Sequence, residues 1–391
     1  MSETRTAPPR AEIVVDLDAL RHNVRQLREL LDADPAPALM VVVKADGYGH
    51  GMHRSARAAR EAGAEWIAVA TPEEAVALRD GGDGGPLLCW LSAPGDDYRP
   101  ALERGVQVSA YDVGQLDRIA ASAAELGLVS AVQLKVDTGL SRGGSSYGAW
   151  GALVSHAAEL EVAARIRVTG IWSHFACSDE PEHPANATQE RVFREALDVA
   201  ERAGLRPDVR HLANSAAALL RPSSRFDAVR LGIASYGLTP APSVVSSAEL
   251  GLRPVMTARA TLAMVKDIAA GDGVSYGHMF VAEQQLTVGL VPVGYGDGIP
   301  RHASNTAEVA VRGHRCRVLG RICMDQFVVD LTGVGAEAGD EVLLFGPGRA
   351  GEPLAQDWAE ACGTISYEIV TRIGGRMTRT WRGERPAGED S

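Results

Sequence analysis

One stretch decides the fold: Val41-Val42-Val43-Lys44-Ala45-Asp46-Gly47-Tyr48-Gly49-His50-Gly51. Its beginning is apolar and β-branched, which predicts a strand buried on both faces. Three glycines at alternate positions then follow a lysine, so the backbone beyond Lys44 can come close to a bound group. An ammonium group at the mouth of a buried strand is costly to desolvate unless it is paired or reacts covalently. Two interpretations stay open here: a reactive lysine, or a strand-end lysine whose ammonium reaches water above a tight turn.

Length and composition limit the classes of protein to consider. A chain of 391 residues with 46% hydrophobic residues predicts two domains, or one barrel with an appended domain. The net charge of −11 argues against nucleic-acid and anionic-membrane partners, and no apolar run has transmembrane length. Residues 1–10 are polar and are expected to be a disordered tail and not a signal peptide.

Cysteine usage favours a reducing compartment. The five cysteines are odd in number and show no C-x-x-C spacing, so neither a disulfide framework nor a metal site is expected, and a cytoplasmic location fits best.

The order of predicted elements indicates a barrel. An amphipathic helix is expected to begin at Asp16, its N-cap, and to end near Leu31. Strands are then predicted at 39–43, 66–70, 87–91, 106–110, 132–136, 168–173, 209–212 and 228–232, with helical patterns between them, among them 72–79, 113–126, 149–160 and 188–203. This alternation predicts an α/β fold with a parallel sheet, and eight such units favour a closed (β/α)8 TIM-like barrel. A doubly wound open sheet is the alternative.

The pattern changes after residue 239. Residues 239–254 are rich in Pro and Ser and indicate a linker. The apolar runs 256–265, 286–292, 307–311, 326–331 and 341–345 follow with glycine-containing turns and almost no helix, which predicts a mostly β C-terminal domain. The expected organisation is a barrel domain over 11–250, the first residues of which could pack with the β domain, a β domain over 251–382, and a disordered tail over 383–391.

Polar residues gather at the predicted C-terminal ends of the barrel strands, where active sites of such barrels lie. They are Lys44 after strand one, Arg142 after strand five, His174 after strand six, His211, Asn214 and Ser215 at strand seven, and Arg230, Gly232 and Ile233 at strand eight. Alone, each has a structural explanation: a core histidine, a helix N-cap, a solvated arginine. Their common placement favours a functional site.

A lysine beside a phosphate site suggests a particular cofactor. Lysine forms Schiff bases with carbonyl groups, and pyridoxal phosphate enzymes use such a lysine. Late barrel strands commonly bind phosphate through backbone N–H groups and a short helix, and the segments at 214–215 and 232–233 offer that equipment.

At this point the motifs match a family. Residues 43–51 resemble the pyridoxal-phosphate signature of the alanine racemases. Further matching motifs occur in the family's order at 137–139, 174–176, 213–216, 230–233, 274–277, 294–298, 323–325 and 364–367. The resemblance covers nearly the whole chain. It implies a barrel that binds pyridoxal 5'-phosphate, followed by a β domain, as predicted above. It implies no metal.

The resemblance implies a two-base mechanism. Lys44 would hold the cofactor as a Schiff base and, once released by substrate, move a proton on one face of Cα. Tyr276 would be the base on the opposite face, reaching the site from the β domain of the partner subunit, so a homodimer with shared active sites is implied. A phenol with a pKa of about 10 is a poor base at neutral pH. His174 with Arg230 behind it resembles the family's arrangement for favouring the phenolate. Without the resemblance, Tyr276 would be interpreted as an aromatic residue beside a turn.

The resemblance also indicates which residues contact the cofactor ring and which bind the substrate carboxylate. Arg230 would face the pyridine nitrogen and leave it unprotonated, which weakens the ring as an electron sink and favours prompt reprotonation. Arg142 and the backbone N–H of Met324 would bind the substrate carboxylate. Lys135 would be either carbamylated, orienting Arg142, or paired with an acid such as Asp137.

The remaining assignments are of phosphate, gate and channel residues. The resemblance places six residues at the cofactor, mainly at its phosphate: Tyr48, Asn214, Ser215, Gly232, Ile233 and Tyr367. It places Tyr367 with Tyr276 at an inner gate, and Tyr295, Asp297 and Arg301 along the entry channel. Cys323 and Asp325 would support the neighbouring Met324. Leu140 and Ser141 depart from the family, where methionine and glycine are common.

The implied function is alanine racemase, an isomerase that interconverts L-alanine and D-alanine and supplies D-alanine for peptidoglycan. A racemase of broader specificity is the alternative. A decarboxylase on the same barrel would lack the second proton carrier, which Tyr276 argues against. A non-catalytic pyridoxal-phosphate-binding protein would resemble the barrel alone, which the β domain argues against.

Overall fold

The computed structural model describes residues 9–385; residues 1–8 and 386–391, which hold most of both predicted tails, lie outside the described residues. At the inner edges of those tails, the Arg10 guanidinium donates to the carbonyl oxygen of Arg376 (3.1 Å), and the Gly383 carbonyl oxygen accepts from Arg21 (2.8 Å).

The first part of the fold is the predicted barrel. Its eight parallel strands are β2 Ala38–Val42, β3 Trp66–Val69, β4 Leu87–Cys89, β5 Gln107–Ala110, β6 Ser130–Lys135, β7 Ile166–Trp172, β8 Val209–His211 and β9 Ala228–Leu231. They pair in the order β8-β7-β6-β5-β4-β3-β2-β9. Backbone hydrogen bonds from Asp227 to Arg210 (3.0 Å) and from Arg230 to Ala213 (2.9 Å) connect β8 to β9. The (β/α)8 prediction is therefore confirmed, and the open sheet is excluded.

Helices cover the outside of the barrel. They are α1 Leu17–Leu30, α3 Met52–Glu61, α4 Pro72–Asp80, α5 Arg99–Glu103, α6 Val113–Glu125, α7 Tyr147–Val162, α8 Pro184–Arg202 and α9 Ser215–Leu220. The short segment α2 Lys44–Tyr48 is not a regular helix, because residues within it have positive φ angles. Asp16 caps α1 as predicted, because its carboxylate accepts from the Ala19 N–H at 2.9 Å. Leu20, Val24 and Leu27 form the buried face of that helix.

The second part is a nine-stranded sheet in the order β11-β14-β17-β16-β15-β18-β10-β1-β19. Its strands are β1 Ala11–Asp16, β10 Met256–Thr261, β11 Met264–Ile268, β14 Leu286–Val291, β15 Glu308–Val311, β16 His314–Leu319, β17 Phe327–Asp330, β18 Glu341–Phe345 and β19 Thr378–Arg382, and a small hairpin of β12 Gly273–Val274 and β13 Phe280–Val281 stands beside it. The mostly β nature of this part confirms the prediction.

Two details of the second part differ from the sequence patterns. The run 256–265 is two strands, since β10 pairs with β1 and β18 whereas β11 pairs with β14. Two helices, α10 Ala355–Cys362 and α11 Ser366–Arg372, occur where almost no helix was expected. In α10 the buried residues Ala355, Trp358 and Ala359 follow helical spacing, which is a local signal of a helix in the sequence.

The chain enters the sheet before it enters the barrel. Strand β1 lies between β10, to which it is antiparallel, and β19, to which it is parallel. The two parts therefore share a continuous core, and β19 lies against the turn that follows Lys44: the Trp381 indole donates to the His50 carbonyl oxygen at 2.9 Å. Helix α11 packs on the same turn. A Cβ on Gly49 (φ +82°) would lie 2.3 Å from the Val370 carbonyl oxygen, so only glycine fits there.

Candidate active site

A cavity of about 400 Å³ lies at the C-terminal ends of the barrel strands. The structure brings together here the predicted residues Lys44, Tyr48, Lys135, Arg142, His174, Asn214, Ser215, Arg230, Gly232, Ile233 and Tyr367. The lining also includes Val42, Ala45, Trp90, Trp172 and Thr371, to which the sequence analysis gave no role.

Lys44 is followed by backbone of the left-handed conformation. The φ angles are +52° at Ala45, +52° at Asp46 and +53° at Tyr48, with Gly47 at +64° between them. Left-handed helical backbone costs roughly 1–2 kcal/mol for each L-residue, so this turn stores strain directly beside the lysine. The Lys44 ammonium lies 5.7 Å from the centre of the Trp90 ring. Such strained segments persist only where the surrounding structure holds them.

Arg230 is held by two histidines and by backbone carbonyl groups. Its guanidinium donates to His211 Nδ1 (2.8 Å), to His174 Nδ1 (3.1 Å) and to the Ser173 carbonyl oxygen (2.7 Å). Burial, followed by the charge of Arg230, lowers the pKa of both histidines well below the usual value, so both are neutral and can accept. Among residues 9–385, the Nε–H of Arg230 has no acceptor.

The neutral state of His174 sharpens its predicted role. Since its Nδ1 accepts from Arg230, the proton of the ring lies on Nε2, which is then a hydrogen-bond donor. His174 is therefore a neutral donor that is polarised by its hydrogen bond from the Arg230 guanidinium.

His211 is held from its other side by an amide. His211 Nε2 donates to Gln133 Oε1 (2.7 Å), and Gln133 in turn donates to Gln107 Oε1 (2.9 Å). His211 is therefore a hydrogen-bonded core histidine, one of the explanations considered from the sequence, and its ring also positions Arg230.

The cavity is strongly cationic. Lys44, Lys135, Arg142 and Arg230 line it, whereas no aspartate or glutamate is among the described residues of its lining. Burial and the neighbouring cations Arg230 and Arg142 lower the pKa of Lys135 to about 8. Burial and Arg142 also lower the pKa of Lys44. A cavity lined by four cationic side chains and by no acidic one predicts a ligand that carries several negative charges.

Within the described chain Lys135 does not pair with Asp137, the acid named in one of the two alternatives for Lys135. Asp137 Oδ1 instead accepts from the N–H groups of Gly139 (2.9 Å) and Leu140 (3.0 Å), which shapes the loop before Arg142. The Lys135 ammonium lies over the Trp172 ring, 4.5 Å from its centre, and has no ion pair within residues 9–385.

One wall of the cavity has the chemistry of a phosphate site. Ser215 Oγ accepts from the Gly232 N–H at 2.9 Å, at the start of α9. A Cβ on Gly232 would lie 2.5 Å from the Tyr48 hydroxyl, so that hydroxyl occupies the space a side chain would need. Burial raises the pKa of Tyr48 and of Tyr367, which keeps both hydroxyls protonated as donors. The Ile233 N–H has no acceptor among the described residues.

The predicted residues of the β domain lie elsewhere. Tyr276, Tyr295, Cys323, Met324 and Asp325 line a separate open groove of about 670 Å³. Tyr276 is 73% exposed and stands in the turn between β12 and β13; Met324 is 53% exposed. Within the described chain the groove and the barrel cavity share no lining residue.

Two residues predicted along the entry channel, Asp297 and Arg301, lie outside both the cavity and the groove of the described chain. Asp297 is fully buried, and its carboxylate binds the Arg376 guanidinium (2.9 Å) and the Gly294 N–H (3.1 Å), so it stabilises a turn and lines no channel. Arg301 is exposed and lines neither the cavity nor the groove. Both residues were placed along the channel by the family resemblance, and for Arg301 that place stays a prediction.

Two residues in or near the cavity, Trp172 and Glu74, were given no role from the sequence, although each belongs to a recognisable local motif. Trp172 ends strand six beside His174 and was visible in the same motif. Glu74 forms a capping box with Thr71 at the start of α4, a local signature that predicts a helix but not the contact of Glu74 with the Ala45 N–H beside the lysine. Among residues 9–385 no cluster of His, Cys, Asp or Glu could hold a metal ion, and no helix combines the length and hydropathy needed to cross a bilayer.

Comparison with known proteins gives consistent matches along the chain. The family described as "Alanine racemase, N-terminal domain" matches residues 15–240, and "Alanine racemase, C-terminal domain" matches residues 255–381. A protein of Streptomyces coelicolor named alanine racemase is 52% identical, over 98% of this chain and 100% of that protein. One of Salinispora arenicola with the same name is 49% identical, over 96% and 99%. The crystal structure of alanine racemase from a D-cycloserine-producing Streptomyces lavendulae superposes with a TM-score of 0.95 at 50% identity, over 97% of this chain and 99% of that one.

Proposed function

The chain belongs to the alanine racemase family and is an isomerase of that family, and we propose that it interconverts L-alanine and D-alanine with pyridoxal 5'-phosphate as cofactor. One observation carries the proposal. A barrel cavity contains a lysine and three further cations without any acid, while a tyrosine with no role in its own chain stands exposed on the β domain.

The residues present fit this cofactor. A phosphate dianion would satisfy the Ile233 N–H and the hydroxyls of Tyr48 and Ser215, next to the space left by Gly232. The Nε–H of Arg230 would meet a ring nitrogen, its other N–H groups being occupied by His174 and His211. Asn214 and Tyr367 complete the wall.

Lys44 would act on one face of the substrate. When bound, pyridoxal phosphate withdraws electrons from an amino acid joined to it and so acidifies the Cα–H bond. The lowered pKa of Lys44 gives its amine a larger neutral fraction, which is the form that attacks a carbonyl and that takes up a proton. The left-handed turn after it fixes the side from which the amine approaches.

Arg230 would tune the electron-withdrawing strength of the cofactor ring, and His174 would stabilise the charged form of the second base. A guanidinium does not give up its proton, so the nitrogen that it faces stays an acceptor, and charge on Cα is delocalised less far. Arg230 in this place would therefore favour prompt return of a proton to Cα, as racemisation requires. The Nε2–H of His174 is free to donate toward a phenolate.

Tyr276 would act on the opposite face, and it can do so only from another chain. It lies outside the cavity of its own chain and is largely exposed. We therefore propose a head-to-tail homodimer in which the groove of one chain closes the cavity of its partner. In this arrangement the Met324 N–H, which has no acceptor among residues 9–385, would bind the substrate carboxylate together with Arg142.

The other predicted residues would support this site. Tyr295, Cys323 and Asp325 shape the groove around Met324, and Asp325 pairs with Arg376 at 2.6 Å. The Lys135 amine, which lies near Arg142 and forms no ion pair within residues 9–385, is suited to carry a carbamate that would orient that arginine. Native mass spectrometry of the protein in bicarbonate, compared with its Lys135→Arg variant, would detect the added carbon dioxide.

The cellular setting is part of the proposal. D-alanine is a building block of peptidoglycan, and the relatives named above are bacterial. The cysteines Cys89, Cys177, Cys316, Cys323 and Cys362 are all free, which suits the reducing cytoplasm where that precursor is used.

A substrate panel tests the proposed function. The purified protein with pyridoxal phosphate is incubated with L-alanine, L-serine and L-lysine, and D-isomers and carbon dioxide are measured. We expect D-alanine as the main product and no carbon dioxide. Comparable D-serine or D-lysine formation would favour the broader racemase instead, and carbon dioxide release would contradict a racemase.

A further inference from the structure

The strained turn after Lys44 is tied to the neighbouring barrel unit by one carboxylate. Glu74, in the first turn of α4, places its Oε1 at 2.7 Å from the Ala45 N–H. Its Oε2 accepts from the N–H groups of Ala70 (2.9 Å) and Thr71 (3.2 Å), at the C-terminal end of β3. The two oxygens thus serve two different elements.

Helix capping explains only half of this arrangement. In the capping box, Glu74 Oε2 accepts from the Thr71 N–H, and Thr71 Oγ1 accepts from the Glu74 N–H at 3.4 Å. Nothing in that motif requires the contact from Oε1 to Ala45. That contact is made to the first of the left-handed residues, directly after the lysine.

We propose that Glu74 is a positioning residue for Lys44: by holding the Ala45 N–H, its carboxylate fixes the peptide bond that follows Lys44 and so the direction from which the amine enters the cavity. This inference deepens the proposed function and rests on it for its kinetic consequences. Backbone with positive φ at L-residues persists only where contacts hold it, and Glu74 supplies the contact nearest to the reacting side chain.

A second anchor holds the far end of the same turn. Asp46 Oδ1 accepts from the Met52 N–H at 2.9 Å, and its other oxygen pairs with Arg379 of β19. The turn is therefore braced from the barrel by Glu74 and from the sheet by Arg379. Because Asp46 is farther from Lys44 along the chain, we expect loss of the Glu74 contact to displace the amine more.

The charge of Glu74 also acts on Lys44, where it opposes the lowering of the amine pKa by burial and by the neighbouring cations. The charged groups that influence Lys44 are the cations Arg142, Arg230 and Lys135, and the carboxylate of Glu74. Burial and Arg142 lower the pKa of the Lys44 amine, and Glu74 raises it. Removing the carboxylate therefore lowers that pKa further, whereas a change at Thr71, which leaves the carboxylate in place, does not.

The variants Glu74→Gln and Glu74→Ala test the proposal, with Thr71→Ala as the matched control. Thr71→Ala weakens the same capping box but leaves the contact between Oε1 and Ala45 intact. Glu74→Gln removes the charge and keeps one acceptor, so it remains informative if Glu74→Ala folds poorly.

Two readouts separate positioning from stability. Before cofactor is added, the Lys44 amine of the full-length protein is labelled with acetic anhydride over a range of pH, and peptide mass spectrometry gives its pKa. With cofactor, kcat and KM for alanine are measured, and thermal unfolding is recorded for every variant.

We expect Glu74→Gln to lower the labelling pKa of Lys44 by about half a unit or more. We expect Glu74→Ala to lower kcat about tenfold or more with little change in KM, since the residues proposed to hold the carboxylate are untouched. Thr71→Ala should lower the unfolding temperature only. If the Glu74 variants keep the labelling pKa and kcat of Thr71→Ala, Glu74 is only a helix cap and the proposal falls. Absence of racemisation in the unaltered protein would instead refute the proposed function, and the labelling result would still stand.

Discussion

The proposed sharing of active sites can be tested by pairing two inactive chains. Lys44→Ala removes the amine from the cavity, and Tyr276→Phe removes the phenol from the exposed groove. The two variant chains carry different affinity tags and are produced together in one cell. Each variant alone should lack activity, because every site of its homodimer would lack one of the two bases.

The structure sets the size of the recovered activity. If Lys44 of one chain works with Tyr276 of its partner, a mixed dimer contains one site with both residues and one site with neither. Random pairing of equal amounts makes about half of the dimers mixed, so about one quarter of all sites regain activity. Mixed dimers isolated by both tags should show about half of the normal activity per dimer.

The matched control is the double variant paired with an unaltered chain. If the sites are shared, both sites of that mixed dimer lack one base, and the dimer is inactive. If Tyr276 serves its own chain, the double variant leaves one complete site, and the pair of single variants leaves none. D-alanine formation from L-alanine is the assay. No recovery from the single variants, together with activity in the double-variant pair, would refute the shared site.

Three further predictions follow from individual contacts. Gly232→Ala should weaken cofactor binding about tenfold or more, as judged by absorbance titration, because its Cβ would lie 2.5 Å from the Tyr48 hydroxyl. Arg230→Glu should keep the cofactor but slow racemisation about 100-fold and produce a long-wavelength absorbance, and unchanged turnover would contradict the role given to Arg230. Asp297→Asn should lower the unfolding temperature at pH 7. Although burial opposes it, hydrogen bonding lowers the pKa of Asp297 below the ordinary 3.8, so this stabilisation is complete above that pH and is lost as the pH falls through the folded-state pKa. The difference between Asp297→Asn and the unaltered protein should therefore narrow in acid.

Much of the barrel was predictable because its signals are local. Each strand is a short apolar run. Lys44 and His174 come just after such runs and Arg230 lies near the end of one, so the rule that strand ends meet at one face placed them together. The capping of α1 by Asp16 was readable for the same reason. The roles within the cavity came from the family resemblance, and their assignment to this chain stays a prediction until the variants are measured.

What could not be predicted depends on contacts between distant parts of the chain. Strand β1 pairs with β19 across most of the sequence, Glu12 lying opposite Thr378, and no local pattern reveals that partner. Asp297 lies in a motif that suggested a channel residue, but it is buried, and its carboxylate accepts from Arg376, which is distant in sequence. Glu74 was recognisable as a capping residue, whereas the contact of its second oxygen with Ala45 appears only when β2 and β3 lie side by side.

The proposed division of the two bases between chains is consistent with the geometry of the barrel. A cavity at the end of a closed barrel is surrounded by its own strand ends, and Lys44 enters from one of them. Racemisation needs a proton carrier on each face of Cα, so the second must come through the open mouth. A side chain that can enter there has to be exposed in the isolated chain and held on a rigid support. Tyr276 meets both conditions, because it is 73% exposed in the turn of a short hairpin whose Ser275 hydroxyl donates to the Arg321 carbonyl oxygen at 2.6 Å. Its exposure, unusual for a large aromatic side chain, is thus what a base that serves another chain requires.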